Sequence, residues 1–124
     1  MRKTMMIAAV LAGSMGLLAE AYAHPVLKTA NPAANAIVGV GLKEIRFGFS
    51  ESVIPAFSGV QITDANGKAM PLGTPHADPK DKKILVVPLK QTLAAGSYKL
   101  AWHAVAADTH RVKGQYAFKV KKTG

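Results

Sequence analysis

From residue 42 to residue 50 apolar and polar positions alternate: Ile45, Phe47 and Phe49 fall on one side, Glu44, Arg46 and Gly48 on the other. A period of two is that of an extended strand with one buried face. Val60 and Ile62 alternate with Gln61 and Thr63. The Asp64-Ala65-Asn66-Gly67 that follows is turn chemistry, because Asn and Gly tolerate positive φ. Residues 84–87 form a short continuous apolar strand between Lys82-Lys83 and Pro88. After a turn at Gly96, the positions Tyr98, Leu100, Trp102 and Ala104 alternate with their neighbours, and Tyr116, Phe118 and Val120 do so in a last strand. Pro71, Pro75 and Pro79 make residues 70–81 a surface loop by the same logic. No helix is signalled after the N-terminal run. The pattern predicts a single all-β sandwich.

One segment breaks the alternation. Residues 5–18 are apolar and uncharged behind Arg2 and Lys3, and Ala21-Tyr22-Ala23 has the small-x-small form read by signal peptidase. The run is short for a spanning helix, which needs about 20 apolar residues. The expectation is an exported protein: residues 1–23 are a signal peptide cleaved after Ala23, and residues 24–124 are one soluble domain with no stable membrane insertion after cleavage. A domain of that size buries roughly two-thirds of its unfolded surface, enough for one core.

Composition narrows the chemistry. With no cysteine, the chain forms neither a disulfide nor a thiolate metal site, so packing alone must stabilise it. Losing Arg2, Lys3 and Glu20 would take 16 basic and 7 acidic residues to 14 and 6, a net charge of +8. The lysines are scattered, with small groups only at Lys82-Lys83 and Lys119-Lys121-Lys122. There is no arginine-rich helix and no interleaving of basic and aromatic residues. The expectation is a solvated basic surface and no nucleic-acid partner.

Cleavage after Ala23 would place a free α-amine on His24, beside its own imidazole. These two nitrogens can close a chelate ring, and Cu(II) takes such donors most tightly among first-row divalent ions. Pro25 has no amide hydrogen to lose, so the terminus offers a two-point bite and further ligands must come from the fold. Asp108 and His110 lie two apart in the stretch between the last two strands, where an extended backbone would project both from one face. Three nitrogens and one carboxylate oxygen suit tetragonal Cu(II), while the lack of sulfur makes the set poor for Cu(I). Plainer assignments compete: Asp-x-His is also a turn with a capping Asp, and an N-terminal His can be incidental. His103 alternates to the face opposite Trp102, as an exposed or hydrogen-bonded imidazole. His76, in the proline-rich loop beside Met70, is expected in solvent, and Trp102 in the core.

Several fragments recur in a recognisable order. They are His24-Pro25, Pro32, Phe49-Ser50-Glu51, Phe57-Ser58-Gly59, Leu93-Ala94-Ala95-Gly96-Ser97-Tyr98 with Trp102, Asp108-Thr109-His110, Gly114 and Phe118-Lys119-Val120. In that order and spacing the chain resembles the CopC family of periplasmic copper-binding proteins over essentially the whole of residues 24–124. The resemblance implies an immunoglobulin-like Greek-key β-sandwich or barrel with one Cu(II) ion held by His24, Asp108 and His110. It also implies that Glu51 orients or charge-balances the N-terminus from behind the ligands. One departure stands out: some members hold Cu(I) in a methionine-rich loop, whereas only Met70 and His76 are available here, so no strong Cu(I) site is expected.

The implied role is periplasmic copper sequestration or delivery in copper homeostasis or resistance, without catalysis, with an inner-membrane copper transport protein as the partner. The alternative from another class is a histidine-brace copper monooxygenase acting on polysaccharide. That enzyme needs a second brace histidine without an equatorial carboxylate, open coordination and a flat aromatic face; Asp108 would close the plane. A third reading is an adhesive or chaperone-like sandwich in which His24 is incidental.

Overall fold

Each alternating segment becomes a strand whose apolar face turns inward. The computed structural model describes residues 25–122, so His24, the cleavage site and the apolar run before it lie outside the described residues. In chain order the strands are β1 (Leu27–Asn31), β2 (Ile37–Gly39), β3 (Glu44–Phe49), β4 (Gly59–Asp64), β5 (His76–Asp78), β6 (Asp81–Pro88), β7 (Gly96–Val105) and β8 (Arg111–Lys121). One turn of 3-10 helix, Pro55–Phe57, precedes β4. Among the described residues no helix is long and apolar enough to cross a membrane.

The strands form two four-stranded sheets, ordered β1-β3-β6-β5 and β2-β8-β7-β4. Pairing is antiparallel except for β2, which runs parallel to β8. The chain therefore passes between the layers at every step from β1 to β5 and again from β6 to β7, and the inner faces of both sheets share one core. Ile45, Phe47 and Phe49 from β3 and Leu85 and Val87 from β6 meet Ile62, Leu100, Ala104 and Phe118 from the opposite sheet. Burying each of the larger of these side chains contributes roughly 1.5–3 kcal/mol, and the all-β sandwich expected from the alternation rests on this layer.

Trp102 joins the core, packing its ring 6.0 Å from Phe47 and 5.7 Å from Phe49. Two tyrosines pin connections to the core by their hydroxyls. Tyr98 donates to the carbonyl of Ala94 and Tyr116 to that of Pro32, each at 2.6 Å, and burial pushes the Tyr116 hydroxyl up to about 12. Pro32 follows a cis peptide bond. At the 64–67 turn, Asp64 accepts from the backbone of Asn66 and Lys68, and Gly67 takes φ +83°.

Residues 70–81 depart from the expected surface loop. They contain β5, which pairs with β6, and β6 itself begins at Asp81. Met70 is half-buried against the core, its amide bonded to the carbonyl of Ile62. A three-residue strand among prolines has too few positions to show a period, and this hid it. His76 is exposed there, as expected, with Nδ1 3.2 Å from the carbonyl of Thr74.

Candidate metal centre

Asp108 and His110 sit in the connection between β7 and β8, the longest antiparallel pair in the molecule, whose last register is Val105↔Arg111. The loop closes on itself through Thr109 N–H to the carbonyl of Ala106 at 2.8 Å and Ala106 N–H to the carbonyl of His110 at 2.9 Å. This is not the extended backbone that the Asp-x-His spacing suggested. Thr109 takes φ +72°, a left-handed conformation, and its hydroxyl donates to the carbonyl of Asp108. The two side chains are brought together by the turn instead of by strand alternation.

Asp108 is the turn-capping residue that the sequence allowed, and it also engages the imidazole beside it. One carboxylate oxygen accepts from the backbone N–H of His110 at 3.0 Å, as a turn-capping Asp does; the other accepts from His110 Nδ1 at 2.9 Å. These bonds to His110, side chain first, hold the Asp108 carboxyl below the usual carboxylate range. Both side chains are about half exposed, 47% for Asp108 and 49% for His110, so an ion can reach them from solvent. The pair offers nitrogen and oxygen donors, which fit a borderline cation such as Cu(II) better than a soft one. Among the described residues no group of three or more His, Asp or Glu is clustered. Asp108 and His110 are two donors, so a tetragonal set of four would need donors from outside this pair.

The first described residues are anchored to the segment that leads to this loop. Pro25 is buried, and Val26 is tied to Ser50 at both ends of its peptide: its N–H donates to the Ser50 hydroxyl, and its carbonyl accepts from Ser50 N–H, both at 2.8 Å. Ser50 leads through half-buried Glu51 to Val53, which bridges Ala106, while Ile54 N–H donates to the carbonyl of Val105 at 2.8 Å. The start of β1, residues 50–54 and the 106–110 loop therefore lie at one end of the sandwich. Ser50 anchors the start of the described chain, and the sequence marked it only as part of Phe49-Ser50-Glu51. A hydroxyl that receives a backbone N–H from 24 residues away carries no local signal. His103 lies apart from these groups, exposed on β7 opposite Gly59.

Three comparisons bear on this arrangement. The model of the CopC domain family matches residues 27–121. Protein YobA of Escherichia coli strain K12 is 39% identical over 100 residues, 81% of this chain and 81% of that protein. Copper resistance protein C of Escherichia coli is 37% identical over 121 residues, covering 91% of this chain and 95% of that one. The crystal structure of PcoC, a methionine-rich copper resistance protein from Escherichia coli, aligns at a TM-score of 0.71 and 33% identity, over 80% of this chain and 100% of that chain.

Proposed function

The chain belongs to the CopC family, and from that premise we propose that it is a periplasmic Cu(II)-binding protein that sequesters or delivers copper. One ion would be held by the amine and imidazole of His24, by Asp108 and by His110. The observation that carries this reading is the meeting of three segments at one end of the sandwich: Val26 bound to Ser50, Val53 bridged to Ala106, and the Asp108–His110 pair in the loop beyond. Cleavage after Ala23 creates the amine, so the precursor lacks the complete site.

The role of each group follows from its chemistry. The His24 chelate supplies two adjacent nitrogens. Copper entry exchanges the Asp108–His110 hydrogen bond for two metal bonds, and the left-handed turn at Thr109 keeps both donors close for that exchange. Glu51, one residue from Ser50, would supply negative charge that favours a protonated or metal-bound terminus. Four protein donors close the equatorial plane, which suits a carrier and leaves no position for substrate. Of the five methionines only Met70 would remain after cleavage, and it packs against the core, so a thioether cage for Cu(I) would have no second sulfur to build on. An inner-membrane copper transport protein is the fitting acceptor for the cargo.

The test is a Cu(II) competition titration with EPR on the chain starting at His24, beside a chain with one extra alanine before it. The expected result is one-to-one binding with a nitrogen-rich tetragonal spectrum, weakened at least tenfold by the added residue, in the range of losing a ligand or its support. Equal binding by the two chains would remove the amine from the ligand set.

A further inference from the structure

Away from the Asp108–His110 loop, the outer faces of the two sheets differ in their charged groups. On the outer face of β1-β3-β6-β5 the guanidinium of Arg46 is held by Asp78 at 2.5 Å and Glu44 at 3.1 Å. The outer face of β2-β8-β7-β4 is different. Lys99 on β7 and Lys113 and Lys119 on β8 are exposed there, and none of them takes part in an ion pair among the described residues. Between them the surface is low. Ala101 stands in register with Gln61 on one side and Gln115 on the other, and Ala117 lies opposite Lys99. Two depressions of about 400 and 560 Å³ share Gln61, Ala101 and Gln115, and neither is lined by Asp or Glu.

We propose that this trough docks an extended, acidic segment of a partner protein. The alanine floor admits a backbone, and the Gln61 and Gln115 amides supply donors and acceptors for its peptide groups. Lys113 and Lys119 share one face of β8 six residues apart, so carboxylates at matching positions of an extended ligand, which repeats at the same two-residue spacing, can pair with them. A chain carrying net charge +9 also draws an acidic partner from a distance. A bilayer is a poorer match. Membrane surfaces are gripped by several projecting apolar anchors beside cations, whereas the large apolar side chain exposed here among the described residues is Ile37, beside Lys119 at the β2 edge, and the floor itself is recessed and made of methyl and amide groups. The proposal stands independently of the copper reading, although the same β7–β8 hairpin carries Asp108 and His110 at its tip and would set a docked partner beside them.

The experiment titrates the isotope-labelled chain starting at His24 with a peptide of alternating Glu and Ala, following backbone amide resonances at low salt and again at about 0.15 M ionic strength. Shifts should concentrate at Ala101, Gln115 and Ala117 and weaken with salt. Reversing two charges in the trough, Lys99→Glu with Lys113→Glu, should reduce affinity about tenfold or more. The same charge change on β6, Lys82→Glu with Lys83→Glu, should alter it less than about twofold. Should the first pair disturb the fold by circular dichroism, Lys99→Gln with Lys113→Gln takes its place. Equal losses from both pairs would reduce the effect to overall charge and overturn the proposal. So would failure to bind the peptide alongside Lys99- and Lys113-dependent binding to phosphatidylglycerol vesicles, which would assign the face to lipid.

Discussion

At the level of single residues, the candidate site depends on Asp108 holding two positions at once. One oxygen supports the turn through His110 N–H, and the other engages the imidazole. Asp108→Asn keeps an oxygen for the turn and removes the charge; Asp108→Ala removes both. The expected outcome is that Asn preserves the fold and loop yet lowers Cu(II) affinity about 10–100-fold, and that Ala lowers it at least as far. Titration and EPR on both variants, with His103→Ala as an unaffected reference, check this. A carboxylate with a different task is Asp78, whose pKa is held below its ordinary 3.8 by the Arg46 side chain and then by the Lys80 backbone. A depressed carboxylate contributes stability above its unfolded pKa and loses it as pH falls through the lower folded value. The melting temperatures of the wild type and Asp78→Asn should therefore differ at neutral pH and converge in acid below pH 3.8. A difference that persists unchanged there would mean that the ion pair contributes nothing.

At the level of elements, the close packing of β7 on β8 turns on Gly114. A Cβ built there would lie 2.8 Å from Trp102 Nε1 and 2.9 Å from its ring carbons. The indole is wedged against Phe47 and Phe49 and has little room to yield. Gly114→Ala should cost about 1–3 kcal/mol in chemical denaturation and shift the Trp102 emission. Unchanged stability and emission would show that the ring moves freely. β7 and β8 were legible in the sequence because long strands with one buried face repeat their pattern several times. β3 and β4 were legible for the same reason, and the apolar centre of β6 for its β-branched run. β1 was not, because a register shift between Leu27 and Thr29 breaks its alternation at the sheet edge. β2 and β5 are three residues each, too short for any period to emerge. The Asp108–His110 pair was legible as a spacing, but its geometry was not, since a left-handed Thr109 is a consequence of loop closure.

At the level of the whole molecule, the sandwich joins parts of the chain that are distant in sequence, and this makes metal binding a measure of folding. In the proposed site only the folded form presents all four donors, since an unfolded chain would leave His24 with its own amine-imidazole bite alone, so Cu(II) should bind the folded form more tightly and stabilise it in proportion to that difference. With free metal at 100 times the dissociation constant of the folded state, the upper limit is about 2.7 kcal/mol, less what the unfolded terminus retains. For a domain of this size each kcal/mol raises the melting temperature by roughly 4–8 °C, so an increase of several degrees is expected. Asp108→Asn, which keeps the turn oxygen, should lose most of that increase while its metal-free melting temperature stays near that of the wild type. Adding one alanine before His24 should lose most of it as well, because the displaced amine no longer reaches the folded site. If Cu(II) raised the melting temperature of all three chains equally, the stabilising contacts would have to lie elsewhere on the surface, and the convergence of β1, residues 50–54 and the β7–β8 loop would be architecture without a metal.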